Sequence, residues 1–290
     1  MIVITGATGV VGRPLVDLLA AQGIPVRAVT RTPTAEFPAG VDVVEGTPSE
    51  PETMASALRG ATALFLNPRA VGDAAHELVA LAARHDVRRV VALAAANVDD
   101  DPADQPSRFR GDRNAEAEDA AVASGLEWVS LRPTSFAGNT LSAWGEQIRA
   151  GDVVRFVYPA FEESLIDERD LVEVAAYALL KEDLLGRRVV LTGPQSLSHA
   201  EMVAVIGDVL GRSLRYQEIR PEAATQGMVA RGIPEPFVTA LMRRYATHLD
   251  QPQHPPTHEV EKILGRPARS FAVWVDDHAA AFEQRARVPG

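Results

Sequence analysis

The chain has 290 residues, 46% hydrophobic and 23% charged, which suits a soluble doubly wound domain with an appended lobe. Its 29 basic residues against 39 acidic leave a formal charge of −10, which argues against general affinity for DNA or RNA. It contains no cysteine and no long apolar span, and Met1 runs into Ile2-Val3-Ile4 without a basic leader, so disulfide chemistry is excluded and a cytoplasmic protein off the membrane is expected.

Strands are predicted over 2–5, 26–30, 41–45, 63–66, 89–94 and 128–131, and helices over 12–22, 52–58, 74–85 and 113–124, from apolar runs and helical spacing. Alternating strands and helices imply βαβ units and a parallel sheet whose strands are buried on both faces. After Arg132-Pro133 the rhythm changes: helix 142–149, strand 153–157, helix 170–181, strand 188–192, helix 198–210 and strand 214–219. Helical segments then continue to about Arg285, with a proline-rich break over 252–256. The expected fold is α/β, a doubly wound, Rossmann-type parallel sheet with a smaller, mostly helical C-terminal lobe. The expected boundaries are 1–134 with 164–192 for the dinucleotide-binding core, and 135–163 with 193–290 for the lobe. A substrate cleft is expected between the two.

Thr5-Gly6-Ala7-Thr8-Gly9-Val10-Val11-Gly12 follows a buried strand and opens an amphipathic helix, the context a dinucleotide site demands. The spacing is G-x-x-G-x-x-G. Gly6 permits the turn, Gly9 lets backbone approach a pyrophosphate, and Gly12 lets the helix pack against the strand. An NAD-selective site usually carries a carboxylate at the end of the second strand. Here that end reads Ala28-Val29-Thr30-Arg31, and Arg31 is suited to a 2′-phosphate, so NADP(H) is expected over NAD(H). The bland alternative for Arg31 is a solvated loop side chain.

The chain resembles the NmrA-like branch of the atypical short-chain dehydrogenases/reductases. The likeness runs from the glycine motif through Ala57-Leu58-Arg59-Gly60 and Ser124-Gly125-Leu126-Glu127-Trp128 with Leu131-Arg132-Pro133. It continues in Ile166-Asp167-Glu168-Arg169-Asp170, Leu191-Thr192-Gly193-Pro194 with Leu197-Ser198, and Phe271-Ala272-Val273-Trp274-Val275. It implies a Rossmann-type core with a small C-terminal lobe, in a family of NADPH-dependent reductases, quinone reductases and non-catalytic cofactor sensors. By position, it implies cofactor contacts at Leu66, Asn67 and Pro68, at Ala94 and Ala95, and at Pro133 and Thr134. Two departures stand out. Gly46-Thr47-Pro48 lacks the acidic residue many relatives place after the third strand, and Ala94-Ala95-Ala96 stands where many have serines.

Reducing a carbonyl takes a hydride and a proton, and the superfamily usually draws the proton from a Tyr with a Lys four residues on. Tyr177 and Lys181 have that spacing but lie past the sixth strand, so Tyr177 is expected to pack rather than react. The helix in the catalytic position, Arg110-Gly111-Asp112-Arg113-Asn114-Ala115-Glu116-Ala117-Glu118, has neither residue. Asn114 stands where relatives place Lys; it offers an amide to a substrate, or is a solvated polar side chain. Asn97 heads an acidic stretch, Asp99-Asp100-Asp101, read as a surface loop at the cleft mouth rather than a metal site. His254 and His258, separated by prolines, are likewise not expected to hold a metal, and Asp167 with Asp170 is read as capping a helix. Phe136, Trp144, Phe156 and Tyr158 are expected to line a site for a flat apolar substrate, with most of them in the core. Two functions remain: an NADP(H)-dependent reductase of a conjugated or quinone-like small molecule, or an NADP(H)-binding sensor acting through a protein partner.

Overall fold

In the computed structural model, which describes residues 1–32, 34–250 and 253–283, the contacts of the chain divide it into two units. The first comprises Met1–Pro133, Glu168–Leu191 and Glu259–Arg266; the second comprises Thr134–Asp167, Thr192–His258 and the chain from Pro267 onward. Pro252 of the proline-rich break and Arg285, where the helical reading ends, lie outside the described residues.

The first unit opens with β1 (Ile2–Ile4), α1 (Gly12–Ala21), β2 (Val26–Thr30), β3 (Asp42–Glu45), α2 (Ala55–Leu58) and β4 (Ala63–Leu66). It continues with α3 (Pro68–Val71), α4 (Ala75–Arg84), β5 (Arg89–Leu93), α5 (Asn114–Val122) and β6 (Glu127–Pro133). The second unit then takes α6 (Asn139–Ala150), β7 (Val153–Phe156) and β8 (Glu162–Glu163), before α7 (Glu168–Leu180) and β9 (Arg187–Leu191) return to the first. β10 (Leu197–Ser198), α8 (His199–Leu210), β11 (Arg215–Glu218), α9 (Pro221–Ala230) and α10 (Glu235–Thr247) follow in the second. α11 (Glu259–Leu264) belongs to the first, and α12 (Phe271–Asp277) and α13 (Ala279–Phe282) to the second.

Seven strands form one sheet in the order β3-β2-β1-β4-β5-β6-β9, and every neighbouring pair is parallel. The order reverses at β1 and β4, the switch point where open α/β sheets bind ligands outside the carboxyl ends of their strands. Val3, Leu64, Leu66, Val90 and Ala92 share one core with Leu58, Leu78, Ala82, Ala117 and Ala121, which puts α2, α4 and α5 on one face. α1 and α7 pack against each other, and α7 against β4, β5 and β6. β1, β4 and β5 are buried throughout, as their unbroken apolar runs predict. The edge strands differ: β9 opens on exposed Arg187 and Arg188, and β3 is exposed or half-buried along its length. At the sheet's edge its residues alternate in exposure, and Val43 is 37% exposed.

The helix predicted over 52–58 is two pieces: a tighter 3₁₀ turn, Pro51–Met54, runs into α2. There the Thr53 hydroxyl bonds the Glu50 carbonyl (2.8 Å) and accepts from the Thr47 amide (2.9 Å), which competes with regular helix. In the second unit β7 pairs with β11 and β8 with β10. Its core joins Trp144, Phe156, Ile206, Met242, Tyr245 and Trp274. α8 starts at a capping box in which Ser198 and Glu201 satisfy each other's backbone amides. Among the described residues no helix is long and apolar enough to cross a membrane.

Candidate functional site

β1 delivers the chain to Thr5, whose buried hydroxyl donates to the Phe65 carbonyl (2.8 Å) and accepts from the Asn67 amide (2.8 Å). The ends of β1 and β4 are thereby tied together under the glycine loop. Gly6 has φ +64°, and a Cβ there would stand 2.8 Å from the Asn67 side chain. A Cβ on Gly12 would stand 2.1 Å from the Gly6 carbonyl oxygen. Gly12 therefore serves contact with the loop's own backbone, not with the strand as the spacing suggests. At Gly9 a Cβ would meet only the Gly6 oxygen, at 3.2 Å, so packing alone does not demand glycine there.

The loop fits a dinucleotide. Ala7 and Val11 are buried and anchor it, while Thr8, Gly9 and Val10 are exposed, Val10 at 66%. α1 has no side-chain cap and no acidic residue in its first turn, so the positive end of its dipole stays unneutralised, although the Arg13 amide donates to the Gly9 carbonyl (3.0 Å) and Pro14 has no N–H. After β2, the Thr30 hydroxyl accepts from the Thr32 amide (3.0 Å) and folds the chain into a turn. Arg31, on that turn, is exposed and makes no hydrogen bond or ion pair among the described residues. Arg13 was missed. It donates to Asp17 (3.0 Å) and to the Glu36 carbonyl (2.6 Å) and lies 5.0 Å over Phe37, closing the segment after β2 onto α1. Its signal is a basic residue directly after the third glycine.

Leu66 is fully buried, so only its backbone is available to a ligand. Asn67 caps α3, its Oδ1 accepting from the Arg69 and Ala70 amides (3.1 Å each), and Pro68 is buried. Past β5, the Ala94 amide donates to Leu131 (2.8 Å) and the Ala96 amide to Pro133 (2.9 Å), so pairing with β6 outlasts the strand. Because the sheet is parallel, the residues 6–12, 67–68, 94–95 and 133 share its carboxyl edge. Thr134, the next residue, belongs to the second unit, where its hydroxyl donates to the Ser164 carbonyl (2.5 Å).

α5 begins at Asn114, and this side chain is not solvated. Asn114 is 6% exposed, and its amide donates to the Ser107 hydroxyl oxygen (3.2 Å). Ser107, half-buried on the 3₁₀ turn Pro106–Arg110, finds no acceptor for its own proton among the described residues. No spacing rule flagged Ser107. Before that turn, buried Gln105 donates to the Val98 (3.2 Å) and Asp100 (2.8 Å) carbonyls and pins the loop of half-buried Asn97. Asp99 pairs with Arg132 (2.6 Å) and Asp101 caps a 3₁₀ turn.

Glu118 lies deeper in α5 and accepts from Arg132 (2.5 Å), Ser130 (2.5 Å) and Arg188 (2.7 Å). Burial opposes its charge, yet these hydrogen bonds prevail and hold its pKa down to about 2. A carboxyl so acidic carries no proton to give at neutral pH; it ties α5 to β6 and β9. Tyr177 donates to Asp183 (2.5 Å), and that hydrogen bond raises its pKa, the reverse of what a catalytic tyrosine needs. It is hydrogen-bonded at a partly exposed position rather than packed in the core. Asp170, in the first turn of α7, pairs with Arg266 (2.8 Å).

In the second unit, Trp144 is 2% exposed and sits edge-on to Phe156 and His199, at 6.0 and 5.6 Å between ring centroids. Trp144 and Phe156 are core, which corrects their expected role as lining residues. Phe136, half-buried, bridges to Ile166. Tyr158, also half-buried, holds an unusual φ of +51°. The sequence did not point to Glu163, which accepts from Arg244 (2.5 Å) and Ser135 (2.6 Å). Burial works against its charge, but Arg244 and Ser135 keep its pKa below the usual range.

Residues 6–164 match the profile of a protein family described as NAD(P)H-binding. The chain is 35% identical to the (4-alkanoyl-5-oxo-2,5-dihydrofuran-3-yl)methyl phosphate reductase of Streptomyces griseus subsp. griseus, over 97% of this chain and 99% of that protein. It is 32% identical to the NAD(P)H azoreductase of Xenophilus azovorans over the same shares. The solved structure of an NADPH-dependent quinone oxidoreductase from Escherichia coli, complexed with NADPH, is similar with a TM-score of 0.81. It covers 96% of this chain and 100% of its own at 19% identity, a likeness of fold.

Proposed function

The chain belongs to the NAD(P)H-binding family, in the NmrA-like branch of the atypical short-chain dehydrogenases/reductases, and from that premise we propose an NADPH-dependent reductase of small conjugated electrophiles. The observation that carries this reading is the bare N-terminus of α1 behind the Gly6–Gly9–Gly12 loop, with Arg31 and no carboxylate at the end of β2. Loop amides and α1 hold the pyrophosphate, and Arg31 pairs with the 2′-phosphate. In this reading Asn67, Pro68, Ala94 and Ala95 also touch the cofactor, and Pro133 lies near its nicotinamide.

NADPH, when bound, supplies a hydride. The chain's own part is to orient the acceptor and donate hydrogen bonds. In this reading Ser107, whose oxygen accepts from Asn114, donates to the substrate carbonyl, and Asn97 offers a second amide to the substrate. With no Tyr or Lys in the 110–118 stretch, the acceptor must tolerate negative charge until water protonates it. Unsaturated lactones, azo compounds and quinones all do so by delocalisation. The first two classes are those in the names of the two reductases most closely quoted above. Half-buried Phe136 and Tyr158 remain candidates for contact with a flat substrate.

The test is a fluorescence titration with NADPH and NADH, followed by addition of an unsaturated lactone, an azo dye and a quinone. Selective NADPH binding that weakens in Arg31→Ala, followed by NADPH oxidation, is the expected result. Failure of every acceptor to oxidise bound NADPH would overturn the reductase, and binding of neither nucleotide would overturn the site.

A further inference from the structure

The second unit holds a cavity of about 150 Å³ between α6, β7 and α9 and the segments that follow β11 and α9. It shares no residue with the cofactor and substrate contacts proposed above. Buried Phe156, Ala224 and Met228, with half-buried Ile219, give it an apolar wall. The frame is tied. The Ile219 amide donates to the Phe156 carbonyl (2.9 Å), while the Gln147 carboxamide accepts from the Arg155 amide (2.8 Å) and donates to the Arg155 carbonyl (3.2 Å). At Gly227 a Cβ would meet nothing within 4 Å, so α9 leaves the space open there. Arg155 and Arg231 complete the lining. Both are exposed, and neither side chain makes a hydrogen bond or ion pair among the described residues. Elsewhere in the same unit Arg212 pairs with Asp152 (2.7 Å) and Arg244 with Glu163 (2.5 Å). Among the described residues no carboxylate lines the cavity.

We propose that this cavity binds a small monocarboxylate whose apolar body is the size of a benzene ring, with Arg155 and Arg231 holding the carboxylate. The size fits, because an apolar cavity of about 150 Å³ takes up benzene. The charge fits as well. Two guanidiniums without a protein counter-ion, in a chain of net charge −10, offer charge-assisted hydrogen bonds that a carboxylate completes. A neutral aromatic molecule gains only the apolar wall, and an inorganic anion gains only the arginines. A carboxylate on a compact apolar body gains both.

The experiment titrates the protein calorimetrically, with NADP⁺ present, using benzoate, benzamide and benzamidine, which share a ring and differ in charge. Benzoate is expected to bind about tenfold tighter than benzamide or better, and benzamidine more weakly than either. Arg155→Ala and Arg231→Ala are each expected to weaken benzoate severalfold while leaving benzamide unchanged. Gly227→Leu fills the cavity from a helical position that favours leucine over glycine, so it is expected to melt no lower than wild type and to bind neither ligand. Equal affinity for the three ligands overturns the role of the arginines and the proposal with it. Benzoate binding that survives Gly227→Leu places the ligand elsewhere and overturns it too, as does the absence of benzoate binding. None of these outcomes depends on turnover, so the cavity stands or falls independently of the reductase.

Discussion

The loop over 5–12 and the stretch over 94–118 share the carboxyl edge of one sheet but are held by different means. The loop is shaped by backbone: a left-handed Gly6, a Gly12 with no room for a Cβ, and an uncapped helix behind them. The stretch is shaped by side chains reaching across the fold, from Gln105 to Val98 and Asp100, Arg132 to Asp99 and Glu118, and Asn114 to Ser107. A backbone device tolerates almost no substitution, whereas a side-chain lattice can be rewired while its frame stays. The loop is thus fixed in form, beside a 110–118 stretch that holds neither Tyr nor Lys.

The sharpest way to break the comparison is inside the loop. Gly12→Ala drives a Cβ to 2.1 Å from the Gly6 oxygen and is expected to cost about 3 kcal/mol, seen as a large fall in Tm together with lost NADPH binding. Gly9→Ala meets that oxygen only at 3.2 Å, so its Tm should stay near wild type while NADPH affinity falls. Equal melting of the two variants would mean that both glycines serve packing.

In the lattice, Glu118 carries the most. Glu118→Ala strands the buried Arg132 guanidinium and is expected to cost about 3 kcal/mol, measured by urea unfolding. Because the folded pKa of Glu118 is depressed from 4.5 to about 2, its contribution is complete above pH 4.5 and is lost as pH falls toward 2. Wild-type stability should decline through that window and Glu118→Gln should flatten the decline. A variant with an unchanged acid limb would show that the carboxylate is not held this way.

What was legible in the sequence follows the same division. The glycine motif, the buried β1 and the order of strands and helices rest on local spacing, and the structure carries them with shifts of a residue or two at most ends. Asn114 reads as a polar helix face because its partner sits seven residues back, on the 3₁₀ turn that precedes the helix. Glu118 draws its partners from β6 and β9, which no window of sequence contains. Trp144 reads as a lining residue until Phe156 and His199 close around it.

Arg31 tests the comparison at the cofactor's far end, where the proposed selectivity rests on one exposed side chain instead of backbone. Arg31→Ala is expected to narrow the preference for NADPH over NADH by about tenfold, and Arg31→Lys to restore part of it. Nucleotide fluorescence reads both. An undiminished preference would move the 2′-phosphate to another cation, and Arg13, bound to Asp17 and Glu36, is the nearest in sequence to the loop.

The smallest expected effect is at the reaction end, and it is informative because it is small. If water protonates a delocalised anion, then Ser107 only polarises a carbonyl, and Ser107→Ala should lower kcat severalfold with unsaturated lactones. An azo acceptor has no carbonyl to polarise, so its kcat should fall less. Asn114→Ala should act in the same direction as Ser107→Ala with lactones, since it frees the hydroxyl to rotate. Tyr177→Phe, whose hydroxyl is already committed to Asp183, should leave kcat/KM within about twofold for both acceptor classes. A thousandfold loss in Ser107→Ala would instead make that hydroxyl an obligatory proton donor and remove the need for a delocalised acceptor.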